Sequence, residues 1–186
     1  MQLHKPTKQL IDNYVEGFKH DYGQTENAIQ SLIEKFPDNK SFESVLLKSI
    51  VINVLYATQI RAIVPVASHI FAQNIDEDML LGLPDVVDRI AKVAWNGKQR
   101  NNYSFATKYC SFHHPAAYPI YDSYVEKLLV AYRKRDAFAE FTTYELRDYK
   151  RFKQVLNEFK GFYGLAQVSF KELDIFLWRY GKELFG

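Results

Sequence analysis

SFESVLLKSIVINV, residues 41–54, carries the fold assignment. Phe42, Val45, Leu46, Ser49, Ile50, Asn53 and Val54 recur every three or four positions, the period of an α-helix and not of a strand. Ser41 is the expected N-cap, because its hydroxyl can accept one of the backbone N–H groups that a helix start leaves over. The run is apolar nearly all round, which predicts a central, buried helix.

The same period extends in both directions. Upstream, Leu10, Tyr14 and Phe18 follow Thr7, and Ala28, Leu32, Ile33 and Phe36 form a second stripe that stops at Pro37. Downstream, helices are expected over residues 61–73, 84–95, 102–113, 122–135 and 144–160. Pro65 puts the start of the first of these at or just before it. Gly161 and Gly164 stop the last. Ser169 with Glu172 reads as a capping box, opening a final helix from Phe170 to about Tyr180. No strand or hairpin signal stands out. The expectation is an all-α fold of eight to nine helices in a single globular domain over residues 1–186, built compactly or as two helical lobes flanking a cleft.

Composition agrees with this and excludes several classes. A chain of 186 residues is long enough to bury a core. The 24 basic and 22 acidic residues leave a net charge of +2, so the protein is neither a polycation nor an acidic tail. Hydrophobic residues at 47% and charged residues at 25% argue against disorder. Only 8 Gly and 6 Pro disfavour a turn-rich β fold. The single Cys110 excludes an intramolecular disulfide framework and, within one chain, a four-cysteine zinc or iron–sulfur site. His113 and His114 are adjacent on a predicted helix and point apart, so neither a metal nor another cofactor is expected. The N-terminus is charged throughout and has no signal-peptide core. The apolar stretch 50–71 is broken by Asn53, Gln59, Arg61, Pro65 and His69, which predicts a cytoplasmic protein with no membrane partner. A monomer is the default.

The charge pattern says more than the net charge. No acidic residue occurs from Ser44 to Ile75 or from Arg89 to Tyr121, while Arg89, Lys92, Lys98, Arg100 and Lys108 lie in the second stretch. Acid-free stretches of this kind form an anion-facing surface or are simply core; both readings stand. The second stretch ends at Asp122, near the N-cap of a Pro-led helix. There a carboxylate accepts backbone N–H groups and sits at the positive end of the helix dipole. A fixed anion in that place can stabilise a developing cation or position a water.

Three segments carry a resemblance. Val51-Ile52-Asn53-Val54-Leu55-Tyr56-Ala57-Thr58-Gln59-Ile60 resembles the opening of the helix-hairpin-helix (HhH-GPD) DNA glycosylase superfamily, the group of endonuclease III and the 8-oxoguanine glycosylases. There a buried helix ends in a short polar turn and another apolar helix follows. Residues 80–97 resemble the family's Leu, Val, Ile and Gly passage. Pro119-Ile120-Tyr121-Asp122 resembles its Pro-Val-Asp, whose Asp is essential for glycosidic bond cleavage. The likeness covers residues 42 to 129, about half of the chain. It implies a glycosylase-like core over about 42–135, with the terminal helices completing a second lobe.

Two departures stand out. The family's Gly-rich hairpin, whose amides bind a DNA phosphate, is shortened or missing, since only eight residues run from Gly97 to Ser104 and no Gly-x-Gly is among them. The family's Schiff-base lysine falls on Ser104 when Ala106 is aligned, and Lys108 lies one helical turn further on.

The resemblance implies base-excision repair of duplex DNA carrying a damaged base. Asp122 is the catalytic carboxylate. Lys108 is either a nucleophile, making a glycosylase/lyase, or structural, leaving Asp122 to assist water. Thr58, Gln59 and Arg61, together with Lys98, Arg100, Asn101 and Asn102, are the DNA-binding candidates. Trp95, Tyr103, Phe112 and Tyr121 are candidates for a pocket around a flipped base. The alternative is a non-catalytic DNA-binding or protein-interaction module on the same scaffold.

Overall fold

Among the described residues, 3–186, the helical period dominates the computed structural model. Its α-helices are α1 (Lys8–Lys35), α2 (Phe42–Leu55), α3 (Ile63–Ala72), α4 (Asp76–Leu80), α5 (Asp85–Ala91), α6 (Tyr103–His113), α7 (Ser123–Asp136), α8 (Tyr149–Phe162) and α9 (Phe170–Phe185). A 3-10 turn (Glu145–Arg147) precedes α8, and one antiparallel hairpin, β1 (Lys92–Trp95) and β2 (Lys98–Asn101), lies between α5 and α6. The fold is all-α apart from that hairpin. No described helix is long and apolar enough to cross a membrane.

The short α4 adds to the expected helices, the helix expected over 144–160 begins only at Tyr149 behind the 3-10 turn, and three larger differences follow. The two expected N-terminal helices are one, because Gly17 and Gly23 each cost only about 1 kcal/mol within a helix and α1 buries Ile11, Phe18, Ile29 and Ile33 along its length. The helix expected over 84–95 stops at Ala91. Asn96 and Gly97 have φ of 49° and 69°, the pair of positive values that a two-residue type I′ hairpin turn requires, so Lys92–Trp95 pairs back onto β2. Finally, α2 is not buried all round. It starts where expected, with Ser41 accepting from Ser44 N, but it buries Ser44, Val45, Lys48, Ser49 and Ile52 and exposes Leu47, Ile50, Val54 and Leu55. A uniformly apolar helix has no preferred face, so partners and not periodicity decide which side turns inward.

The chain divides into two compact units. The first holds residues up to Gly23 and Pro119–Gly186; the second is Gln24–Tyr118. The expected core over 42–135 therefore has parts in both. In the first unit α7 packs on α9 so closely that a Cβ added at Gly181 would stand 2.6 Å from the Tyr124 carbonyl oxygen, a place only glycine fits. Asp148 caps α8, and Ser169 with Glu172 forms the expected capping box on α9. In the second unit α2 lies on α3 and α5 on α6, around Val45, Ile52, Val66, Ile70, Val86, Val87 and Ile90.

Candidate functional site

Asp122 is the N-cap of α7. Its backbone is extended, and its carboxylate accepts from Tyr124 N at 2.8 Å. The side chain is partly exposed. What fixes it lies in the three residues before it, all buried. The Tyr149 hydroxyl donates to the Pro119 carbonyl at 2.9 Å, and Ile120 N donates to Asp174 Oδ2 at 2.8 Å. These are the two ends of one peptide group, held by α8 on one side and α9 on the other. Asp174 is itself only 4% exposed, and a carboxylate in such a place is costly unless hydrogen-bonded. Tyr121 packs edge-on against Phe152 and donates to Glu126; burial first, then that carboxylate, pushes its hydroxyl up to about 12. The chain thus enters α7 along a clamped path, and the Asp122 carboxylate is oriented before any ligand arrives.

Lys108 belongs to the second unit, on α6. It is 4% exposed, and its Nζ donates to Ser104 Oγ at 2.5 Å. The amine therefore stands beside the residue onto which the resemblance maps the family's lysine.

The DNA-binding candidates of the second unit fall on two elements. Thr58, Gln59 and Arg61 lie on the loop between α2 and α3. Ala57 and Gln59 there have φ of 47° and 60°, a conformation that costs non-glycine residues roughly 1–3 kcal/mol. Asn53 holds the loop in it. Its Oδ1 accepts from Ile60 N at 2.9 Å and from Thr58 Oγ1 at 2.7 Å, while its Nδ2 donates to the Ile60 carbonyl at 3.0 Å. Gln59 and Arg61 are exposed on this fixed loop.

Lys98, Arg100 and Asn101 are exposed on β2. Asn102 follows, its backbone N donating to the Ala91 carbonyl, with its side-chain nitrogen buried and lacking a hydrogen-bond partner among the described residues. Of the base-pocket candidates, Tyr103, Phe112 and Tyr121 are buried, Phe112 packing edge-on against Tyr56. Trp95 is half-buried on the hairpin, with the Arg100 guanidinium 5.6 Å from its ring centroid.

One polar centre escaped the sequence. Lys48 is fully buried, and its ammonium donates to the Phe36 carbonyl at 3.1 Å, the Asp38 carbonyl at 2.6 Å and Asn39 Oδ1 at 2.9 Å. Asn39 in turn donates to Asp76 from its backbone N and its Nδ2, and accepts from the Tyr109 hydroxyl. Burial pulls Lys48 down to about 8 against the pull of Asp76 and Asp38. All three ammonium hydrogens are used, two of them on carbonyls that follow the end of α1, so this lysine is a structural cation. The available signal was a lone lysine at the i+3 position from Val45, on what became the inward face.

His113 lies against this centre, its ring 5.1 Å from that of Tyr109. Burial, then the Lys48 charge, lowers it to about 3, while Pro37 and Asp38 pull it upward. In the unfolded chain it protonates near its ordinary 6.5. Between those values the unfolded state binds more protons, so stability is lost as pH falls through the window. From pH 7 to 5, above the carboxylate range, the loss amounts to up to about 2 kcal/mol. Urea unfolding at the two pH values measures it. His113→Phe is expected to remove that dependence, and an unchanged slope in the variant would contradict the assignment. Among the described residues no group of three His, Cys, Asp or Glu side chains is arranged to hold a metal ion.

The profile of the HI_0787_N family, described as an N-terminal domain, matches residues 8–117. A Haemophilus influenzae protein that bears only the name "Uncharacterized protein" is 42% identical over 149 residues, which is 80% of this chain and 71% of that one. No solved structure matches the chain.

Proposed function

The chain belongs to the HI_0787_N family, and from the Asp122 carboxylate we propose that it is a base-excision DNA glycosylase. The observation that carries the reading is a partly exposed anion, fixed by the Tyr124 amide at the mouth of a 14-residue helix whose entry is clamped by Tyr149 and Asp174. As the bond between a damaged base and its deoxyribose breaks, positive charge grows on the sugar. An oriented carboxylate stabilises that charge without having to reorganise, a type of effect worth roughly 10²–10³ in rate. Water then adds its oxygen to the sugar carbon, and its proton balances the departing base. The cations of the hairpin and the α2–α3 loop would hold the DNA.

The reading favours a monofunctional enzyme. Lys108 is buried and bonded to Ser104, a poor setting for a nucleophile that must reach a sugar. Incubation with duplexes containing 8-oxoguanine, uracil, alkylpurines or abasic sites is expected to release a base from at least one of the first three. Borohydride added during the reaction is expected to trap no covalent adduct. An adduct that disappears in Lys108→Ala would instead establish a lyase.

A second reading rests on the burial of Tyr103, Phe112 and Tyr121, which are spent on packing and not on an open pocket. It describes a DNA-binding module without excision. Salt-dependent duplex binding that survives Asp122→Asn, with no base released from any lesion, would favour it.

A further inference from the structure

We infer that the β1–β2 hairpin is a ribbon that lies in the major groove of duplex DNA, with Gln99 and Asn101 at the base edges and Lys92, Lys98 and Arg100 at the phosphates. The inference rests on the DNA-binding part of the reading above, and it assigns the hairpin a role that catalysis at Asp122 does not require.

The register supplies the first argument. Lys92 pairs with Asn101, Val93 with Arg100, Ala94 with Gln99 and Trp95 with Lys98. Cross-strand partners share a face of the ribbon, so Lys92, Ala94, Gln99 and Asn101 form one face, and Val93, Trp95, Lys98 and Arg100 the other. Every residue of the first face is exposed. The second face is anchored by Val93, which is buried, and by Trp95, which the Arg100 side chain covers at 5.6 Å. The ribbon is therefore held from one side and open on the other, and Ala94, opposite Gln99, leaves the open side flat beside the two amide side chains of β2.

Chemistry supplies the second. Gln and Asn are the residue types that pair bidentately with adenine in the major groove, and Lys and Arg meet guanine or phosphate. Lys98 and Arg100 carry no ion pair with an acidic residue among those described, while Lys92 pairs with Asp88 at 3.5 Å. No acidic residue follows Asp88 until Asp122, so every charged residue of the ribbon itself is basic, and Lys98 and Arg100 carry the charge that Asp88 does not meet.

Size supplies the third. Four residues per strand extend about 14 Å. A two-stranded ribbon fits a major groove about 12 Å wide, whereas a minor groove about 6 Å wide admits one only when the duplex is deformed. The deep, narrow major groove of duplex RNA excludes it. The Asn96-Gly97 turn keeps the tip narrow, with no large side chain to obstruct entry.

Anisotropy titrations of the full chain test this, using 20-base-pair DNA duplexes of varied sequence, the same strands unpaired, and the matching RNA duplex, each at several salt concentrations. Lys98→Ala with Arg100→Ala is expected to weaken binding to all DNA duplexes about equally and to flatten the logarithmic salt slope by about 2. Gln99→Ala and Asn101→Ala are expected to leave that slope alone and to reduce the preference among sequences by about 5- to 100-fold. All four side chains are exposed, and circular-dichroism melts confirm that the variants fold. Wild-type affinity in the variants would overturn the proposal and leave the charges as guards of an edge strand. Equal affinity for unpaired strands or duplex RNA would overturn it too. The two readings fail separately. Hairpin-dependent duplex binding without base release would sink the glycosylase alone, and base release with binding indifferent to the hairpin would sink the ribbon alone.

Discussion

Replacing Asp122 by Asn is expected to slow base release by about 10²–10³-fold while changing thermal stability very little. The two effects separate because Asn and Asp cap helices about equally well. The side-chain oxygen that accepts from Tyr124 N remains, and only the charge is lost. Asp122→Ala removes both, and a further destabilisation of about 1 kcal/mol is expected from the lost cap. Single-turnover base release measures the first effect and circular-dichroism melting the second. An Asn variant that excises at the wild-type rate would show that the negative charge is not used.

Lys48→Met is expected to destabilise the protein by about 2–4 kcal/mol, because it removes a buried charged donor whose hydrogen bonds are each worth about 1.5–3 kcal/mol at most. Methionine nearly preserves the volume, so the loss is electrostatic. It takes the charged donor from the carbonyls of Phe36 and Asp38 and leaves the Asn39 side-chain oxygen with the Tyr109 hydroxyl alone. A loss of this size is a large share of the total stability of a domain. Urea unfolding, with the slope checked for constancy, gives the number. A loss below about 1 kcal/mol would mean that the region relaxes to let water in. Lys48→Arg is expected to fall between, because a fork of fixed geometry cannot serve three acceptors spaced for a tetrahedral ammonium.

What the sequence made legible was local. Ser41, Asp122 and Ser169 cap helices within three residues of themselves, and each does so in the fold. Pro65 sits in the first turn of α3, where its missing N–H costs nothing. The hairpin was legible in principle. Asn96-Gly97 is a strong turn signal, overridden by the helical spacing of Val86, Val87, Ile90 and Ala94 just before it. What stayed hidden depends on distant partners. Lys48 meets carbonyls from the stretch after α1, and its inward turn follows from them and not from the pattern of α2. Tyr149 and Asp174 reach Pro119 and Ile120 across 30 and 54 residues. No spacing rule brings an aspartate from the last helix to the peptide that leads into Asp122. The aromatic candidates show the same limit from the other side. Tyr103, Phe112 and Tyr121 are candidates for stacking on a base, but aromatics at helical spacing more often fill a core, and the fold buries all three.

The claim on which the account turns is that a fixed anion at residue 122 offsets positive charge on a deoxyribose, and it can be tested without knowing the lesion. Two duplexes suffice, one carrying a cationic pyrrolidine in place of an abasic sugar and one carrying the neutral tetrahydrofuran, each titrated with wild-type protein and with Asp122→Asn. The account predicts at least about tenfold tighter binding of the cationic sugar by the wild type and no such preference in the variant. Equal binding of the two sugars by the wild type, or a preference that persists in Asp122→Asn, would contradict it.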